Sequence, residues 1–133
     1  MPGRAYCLDS DVIIWHLRNA HRRAKVTDRL AQLSRLGTLS CSALTVAEIF
    51  QGIRPGEESG TRALFDGLVV LPIDREIAER AGTIVADLRR TGRTLGLADA
   101  VIAATCIEHG MALVTMNERD FGQIQGLDLQ LAA

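Results

Sequence analysis

The apolar residues of this chain fall into short runs that alternate with longer stretches of helical spacing. Ala5-Tyr6-Cys7-Leu8 predicts a strand, and Asp9-Ser10-Asp11 ends it. Those three cap-type side chains predict a helix that continues through Val12 to Leu17. Apolar residues at 26, 30, 33 and 36 predict a helix over Ala24 to Leu36, with Gly37 as its terminator. Thr38 to Cys41 reads as a second strand. Ser42 or Thr45 then caps a helix through Ile53, and Thr45 with Glu48 matches a capping box. Glu57 to Asp66 reads as a helix ended by Gly67, and Leu68 to Leu71 as a strand of the buried type. Asp74 caps a long amphipathic helix with Ile77, Ala81, Ile84, Val85 and Leu88 on one face, ending near Gly92. Leu97 to Glu108 is apolar nearly all round, as a core helix is, and Gly110 closes it. Ala112 to Thr115 is a strand, and the period-two alternation of residues 127–131 predicts a short edge strand.

Strands alternating with helices predict an α/β fold, with one parallel sheet covered by helices on both faces. The 133 residues suit a single domain spanning 1–133. In such sheets ligands bind beyond the carboxyl ends of the strands. That rule singles out acids that directly follow strands. Asp9 follows the first strand, and Asp120 lies in the loop after 112–115. Glu48 and Asp99 sit near helix starts, embedded in apolar sequence with no adjacent Lys or Arg. Each acid also has a local role open to it: Asp9 or Asp99 as a cap, Glu48 in the capping box, Asp120 in an Asx-turn.

As a set they carry a physical consequence. Two carboxylates about 4 Å apart cost on the order of 4 kcal/mol at an effective dielectric of 20. A convergent set must therefore take up protons or bind a cation. Oxygen ligands without Cys or His select Mg²⁺ or Mn²⁺. The reading requires the four carboxylates to approach a common point.

Composition narrows the rest. Fifteen basic residues nearly balance sixteen acidic ones, which disfavours a module that coats nucleic acid with a broad basic face. No apolar run reaches the ~18 residues of a membrane span. The first residues lack the long apolar stretch of a secretory signal. Cys7, Cys41 and Cys106 are too widely spaced for a zinc site or a disulfide framework, and a reducing cytoplasm suits them. His16, His21 and His109 show no triad spacing with a Ser or Cys.

The segments LDSDVIIW at 8–15, SALTVAEIFQGI at 42–53 and GLADAVIAATCIEHGMALVTMNERDF at 96–121 resemble the PIN-domain nucleases, and within them the VapC-type toxins of bacterial toxin–antitoxin modules. The carriers are Asp9-Ser10-Asp11, Glu48 with Gly52, Asp99-Ala100, and Thr115-x-Asn117-x-x-Asp120-Phe121, in family order from residue 8 to 121. The resemblance implies an α/β/α sandwich around a mainly parallel sheet of four or five strands. It also implies an endoribonuclease dependent on Mg²⁺ or Mn²⁺.

Carried over residue by residue, Asp9, Glu48, Asp99 and Asp120 would form the acidic metal site. Ser10, Thr115 and Asn117 would support it from behind. Asn117 stands where some relatives carry an acid, and Asp11 is the further acid that could compensate. The resemblance further implies an RNA substrate, a homodimer and a cognate antitoxin. The alternatives are a PIN-type nuclease of RNA processing or DNA metabolism, and a PIN scaffold that binds without catalysis.

Two basic stretches flank these motifs. Arg89, Arg90 and Arg93 precede Asp99 and are the candidates for RNA phosphate contacts. Arg18, Arg22, Arg23, Lys25 and Arg29 suit either an RNA track or a solvated helix face. Trp15 and the helices over 42–66 are candidate surfaces for a protein partner, with core packing the competing role.

Overall fold

The computed structural model describes residues 4–18 and 23–132. His21 and Arg22, and the side chain of Arg23, lie outside the described residues. The described residues form one parallel sheet of strands β1 (Arg4–Leu8), β2 (Gly37–Ser42), β3 (Val69–Leu71), β4 (Ala112–Thr115) and β5 (Leu129–Leu131), in the order β3-β2-β1-β4-β5. The helices between them are α1 (Ser10–Arg18), α2 (Arg23–Leu36), α3 (Ala43–Gln51), α4 (Glu58–Asp66), α5 (Arg75–Arg90), α6 (Leu97–His109) and α7 (Glu118–Phe121). None of them is long and apolar enough to cross a membrane.

Alternation along the two central strands builds the layers. Tyr6 and Leu8 of β1, with Ala112 and Val114 of β4, pack against Val12, Ile13, Val26, Leu33 and Phe65 from α1, α2 and α4. Cys7 and Leu113 face the other way, into Ile77, Ala81, Leu88, Ile102 and Phe121. Both faces of the sheet are thus buried under helices, as an α/β/α sandwich requires. The middle of helix α6, Ala100 to Cys106, is buried apart from half-buried Val101, which explains the helix's lack of amphipathic periodicity, and left-handed Gly110 ends it. Cys7, Cys41 and Cys106 are free and buried, and desolvation pushes the Cys41 thiol up to about 12.

The structure changes four local expectations. Gly37 does not terminate α2 in a left-handed turn. It is the first residue of β2, opposite Arg4 of β1, and a Cβ there would lie 1.8 Å from the Arg4 carbonyl oxygen. The glycine is required by a close backbone approach. The cap of α3 is Ser42, whose hydroxyl accepts from the Leu44 N–H at 3.1 Å. Thr45 lies inside that helix with its hydroxyl buried, so the capping box does not form and Glu48 is free for other work. Strand β3 is the edge of the sheet, and Val69 and Val70 are exposed rather than buried. The stretch after β4 is partly helical: Asp120 sits on α7, capped by the Asn117 side chain. As expected, Asp74 caps α5, accepting from the Ile77 N–H at 2.9 Å.

Candidate active site

In the order β3-β2-β1-β4-β5, the chain moves outward from β1 to β3 and then returns to lay β4 on the other side of β1. The connections diverge at the carboxyl ends of β1 and β4, the place where such sheets open a crevice. Asp9 is the residue after β1, and Thr115 ends β4. The Asp9 N–H donates to the Val114 carbonyl at 2.9 Å, which ties the two strand ends together.

Asp9 is 3% exposed. Its Oδ1 accepts from the Ser10 N–H at 2.8 Å and its Oδ2 from the Thr115 hydroxyl at 2.8 Å. These bonds favour the charged form, but desolvation outweighs them, and the neighbouring Asp11 charge adds to it. The Asp9 carboxyl is lifted from its ordinary 3.8 to about 6. Asp11, in the first turn of α1, accepts from the Met116 N–H at 3.2 Å through Oδ2. Its Oδ1 is buried with no partner, and burial raises its pKa too.

The remaining acids come from elements distant in sequence. Glu48 projects from α3, with Oε1 buried and unpartnered. Burial raises its pKa, then the charges of Asp9 and Asp99, while the Ser10 hydroxyl opposes the rise. Asp99 lies in the first turn of α6, and its pKa is raised by burial and then by Asp9 and Asp120. Asp120 is half-buried, and its Oδ2 accepts from the Asn117 amide at 3.0 Å. Its own N–H donates to Asn117 Oδ1 at 3.2 Å.

Asp9, Asp11, Glu48, Asp99 and Asp120 therefore form one electrostatic neighbourhood drawn from β1's end, α1, α3, α6 and α7. The charges acting most strongly on its members are other carboxylates. Among the described residues no three of them are already gathered tightly enough to ligate one ion. The described residues thus do not show the common point expected from the sequence: the acids act on one another electrostatically without closing into a ligand cage. The donor set nevertheless fits a hard divalent cation. It is all oxygen, and it includes two buried carboxylate oxygens, Asp11 Oδ1 and Glu48 Oε1, that have no hydrogen-bond partner among the described residues.

Thr115 and Asn117 are hydrogen-bonded to two of these acids. The Thr115 hydroxyl donates to Asp9 and accepts from the Asn117 N–H at 3.0 Å, joining the two ends of the acidic set. The Asn117 amide is engaged with Asp120. The basic candidates stand apart. Arg89, Arg90 and Arg93 are exposed; Arg90 pairs with Asp87 at 2.5 Å and Arg93 bonds the Thr91 hydroxyl at 3.0 Å. A different cation, Arg18, shares a cleft with Glu48. The basic stretch that begins at Arg18 is visible in the sequence, but the contact of this one residue with the α3 end depends on how α1 and α3 pack together.

Comparison with known proteins adds a lineage to this geometry. A sequence profile of the PIN domain matches residues 6–127. The chain is 33% identical over 120 residues to a Mycobacterium tuberculosis protein named ribonuclease VapC10, covering 90% of this chain and 88% of that one. It is 31% identical over 127 residues to the tRNA(fMet)-specific endonuclease VapC of Shigella flexneri, covering 92% and 93%. It superposes on a chain in the structure of VapBC-1 from nontypeable Haemophilus influenzae with a TM-score of 0.82 and 28% identity, covering 96% of this chain and 98% of the other.

Proposed function

This chain belongs to the PIN domain family, and from that premise we propose that it is a divalent-cation-dependent endoribonuclease, the toxin of a toxin–antitoxin pair. The observation that carries the chemistry is the gathering of carboxylates from separate elements at the crevice between β1 and β4, several held above their ordinary pKa. A group of acids that repel one another and lack a cationic partner is a site for a bound cation.

Asp9, Glu48, Asp99 and Asp120 would hold Mg²⁺ or Mn²⁺, with Asp11 as the fifth acid available. When bound, such an ion supplies positive charge to the phosphoryl oxygens and eases deprotonation of water. The chain's own groups do the rest. Asp9 is held in one orientation by the Ser10 N–H and the Thr115 hydroxyl. Glu48 presents an unpartnered oxygen toward the acidic set that would either help hold the cation or orient the attacking water and take its proton. Asn117 fixes the Asp120 carboxylate through its amide, so it supports a ligand rather than acting as one. Water then displaces one ester oxygen of the RNA phosphodiester, and no side-chain nucleophile is needed.

Arg89, Arg90 and Arg93 make a phosphate-binding surface outside the crevice. The protein acts in the cytoplasm, as a single domain and as a homodimer, and a cognate antitoxin covers it. A solved relative from Klebsiella pneumoniae, with a TM-score of 0.75 and 26% identity, is a toxin–antitoxin complex, which supports that partner. The test is cleavage of RNA in Mg²⁺ or Mn²⁺ by the wild type, Asp9→Ala and Asp99→Ala. Cleavage by the wild type that both variants lose is expected; equal cleavage by all three removes the site.

A further inference from the structure

Arg18 is the last residue of α1, and it lines the cleft between α1, α3 and α4 together with Glu48 and Glu57. Among the described residues that line this cleft it is the one cation. Its Nη2 donates to the Gly52 carbonyl at 2.8 Å and to Glu57 Oε1 at 2.8 Å. Glu57 Oε1 also accepts from the Arg54 N–H at 2.7 Å, so the loop after α3 holds the guanidinium in place. All of these bonds use one nitrogen. Nε and Nη1 have no partner among the described residues, and the side chain keeps 28% of its surface exposed.

Position matters as much as charge. Gly52 lies one helical turn beyond Glu48, about 6 Å along the α3 axis. The Arg18 guanidinium, bonded to the Gly52 carbonyl, therefore stands one turn from a carboxylate of the acidic set and opens onto the same cleft. An Arg fixed through one nitrogen, with the rest of its planar fork free, is suited to a phosphate. Arg89, Arg90 and Arg93 are not among the described residues that line this cleft.

We propose that Arg18 binds the RNA backbone at a phosphate next to the one cleaved, and so sets the position of the strand relative to the carboxylates. This rests on the ribonuclease reading. Glu57 holds the guanidinium before RNA arrives, and the phosphate meets the free Nε and Nη1. Arg18 touches substrate but takes no part in proton transfer, so its loss should act on binding more than on the chemical step.

The probe is unfractionated transfer RNA, cleaved in Mn²⁺ and, separately, bound at a series of salt concentrations. Arg18→Gln keeps a donor for the Gly52 carbonyl and removes the charge; Arg18→Ala is its partner variant. Both are expected to raise KM about tenfold with kcat nearly unchanged, and to reduce the salt slope of binding by about one. Glu57→Gln keeps an acceptor for Nη2 and leaves the guanidinium in place, and is expected to raise KM by less than Arg18→Gln does. A purely structural role predicts the reverse: Arg18→Gln close to wild type, or Glu57→Gln as damaging as Arg18→Ala, and either result overturns the assignment. Wild-type cleavage with unchanged KM and salt slope in Arg18→Gln sinks this proposal alone. Absence of wild-type cleavage sinks the ribonuclease reading, and this proposal with it.

Discussion

Replacing Asp9 with asparagine should make the cation-free protein more stable, although it removes a buried side chain with two good hydrogen bonds. The Asp9 carboxyl titrates at about 6 in the fold and at its ordinary 3.8 in the open chain. Once ionised in both states, it opposes folding by about 3 kcal/mol. Asparagine removes that charge at nearly constant shape. It also turns one acceptor into a donor. The Thr115 hydroxyl, which now donates to Oδ2 while accepting from the Asn117 N–H, must reorient at a cost of about 1 kcal/mol. The net expectation is a gain of about 2 kcal/mol at pH 7.5, a rise in Tm of roughly 5–10 °C for a chain of this size.

The sign of the pH dependence follows from the same shift. A carboxyl whose folded pKa is raised contributes stability that is fully present below 3.8 and lost as pH rises through about 6. The wild type should therefore close the gap on Asp9→Asn as pH falls from 7.5 to 4. Thermal unfolding followed by circular dichroism in EDTA measures both quantities. A variant less stable than wild type at pH 7.5, or a gap that ignores pH, would refute the claim that desolvation and carboxylate repulsion dominate this site.

Three further outcomes are expected. Gly37→Ala places a methyl group where the Arg4 carbonyl oxygen stands, 1.8 Å from the new Cβ, so β1 and β2 must separate locally. Urea denaturation should show a loss of about 3 kcal/mol or more. Thr115→Val removes the donor to Asp9 and the acceptor for the Asn117 N–H. It should cost about 1–3 kcal/mol and push the Asp9 pKa further up, since that hydroxyl now holds it down; the same pH-resolved unfolding experiment reads both. Charge reversal of Arg89 and Arg90 should weaken RNA binding and flatten its salt dependence, with kcat at saturating RNA unchanged.

Much of this arrangement was legible in the linear pattern. Helical spacing located α2 and α5, and Asp74 announced the start of α5. The unbroken apolar stretch of α6 pointed to burial on all sides, with Asp99 at its mouth. Asp9 and Asp120 were legible as candidates because the strand-end rule and the order of motifs select them both; Glu48 and Asp99 stood out only by their apolar surroundings and the motifs. What depended on long-range packing was not. Gly37 looks like a helix terminator until β1 is laid beside β2 and the Arg4 carbonyl is seen against it. Thr45 and Glu48 have capping-box spacing, but Ser42 takes the cap and leaves Glu48 to face Asp9. Leu68 to Leu71 is apolar enough for a central strand, yet the sheet order puts β3 at the edge. Asp11 could have been only a cap, and Arg18 only a surface charge; the pairing of α1 with β4 and α3 decides both.

The central claim is that Asp9, Glu48, Asp99 and Asp120 act together as one cation site. A Mn²⁺ titration of the wild type, Asp9→Asn, Glu48→Gln and Asp99→Asn, with free ion counted by electron paramagnetic resonance, tests it most directly. Saturable binding to the wild type that raises its Tm is expected, with at least about tenfold weaker binding in each variant. Wild-type protein that takes up no Mn²⁺, or variants that bind it as tightly as the wild type, would contradict it.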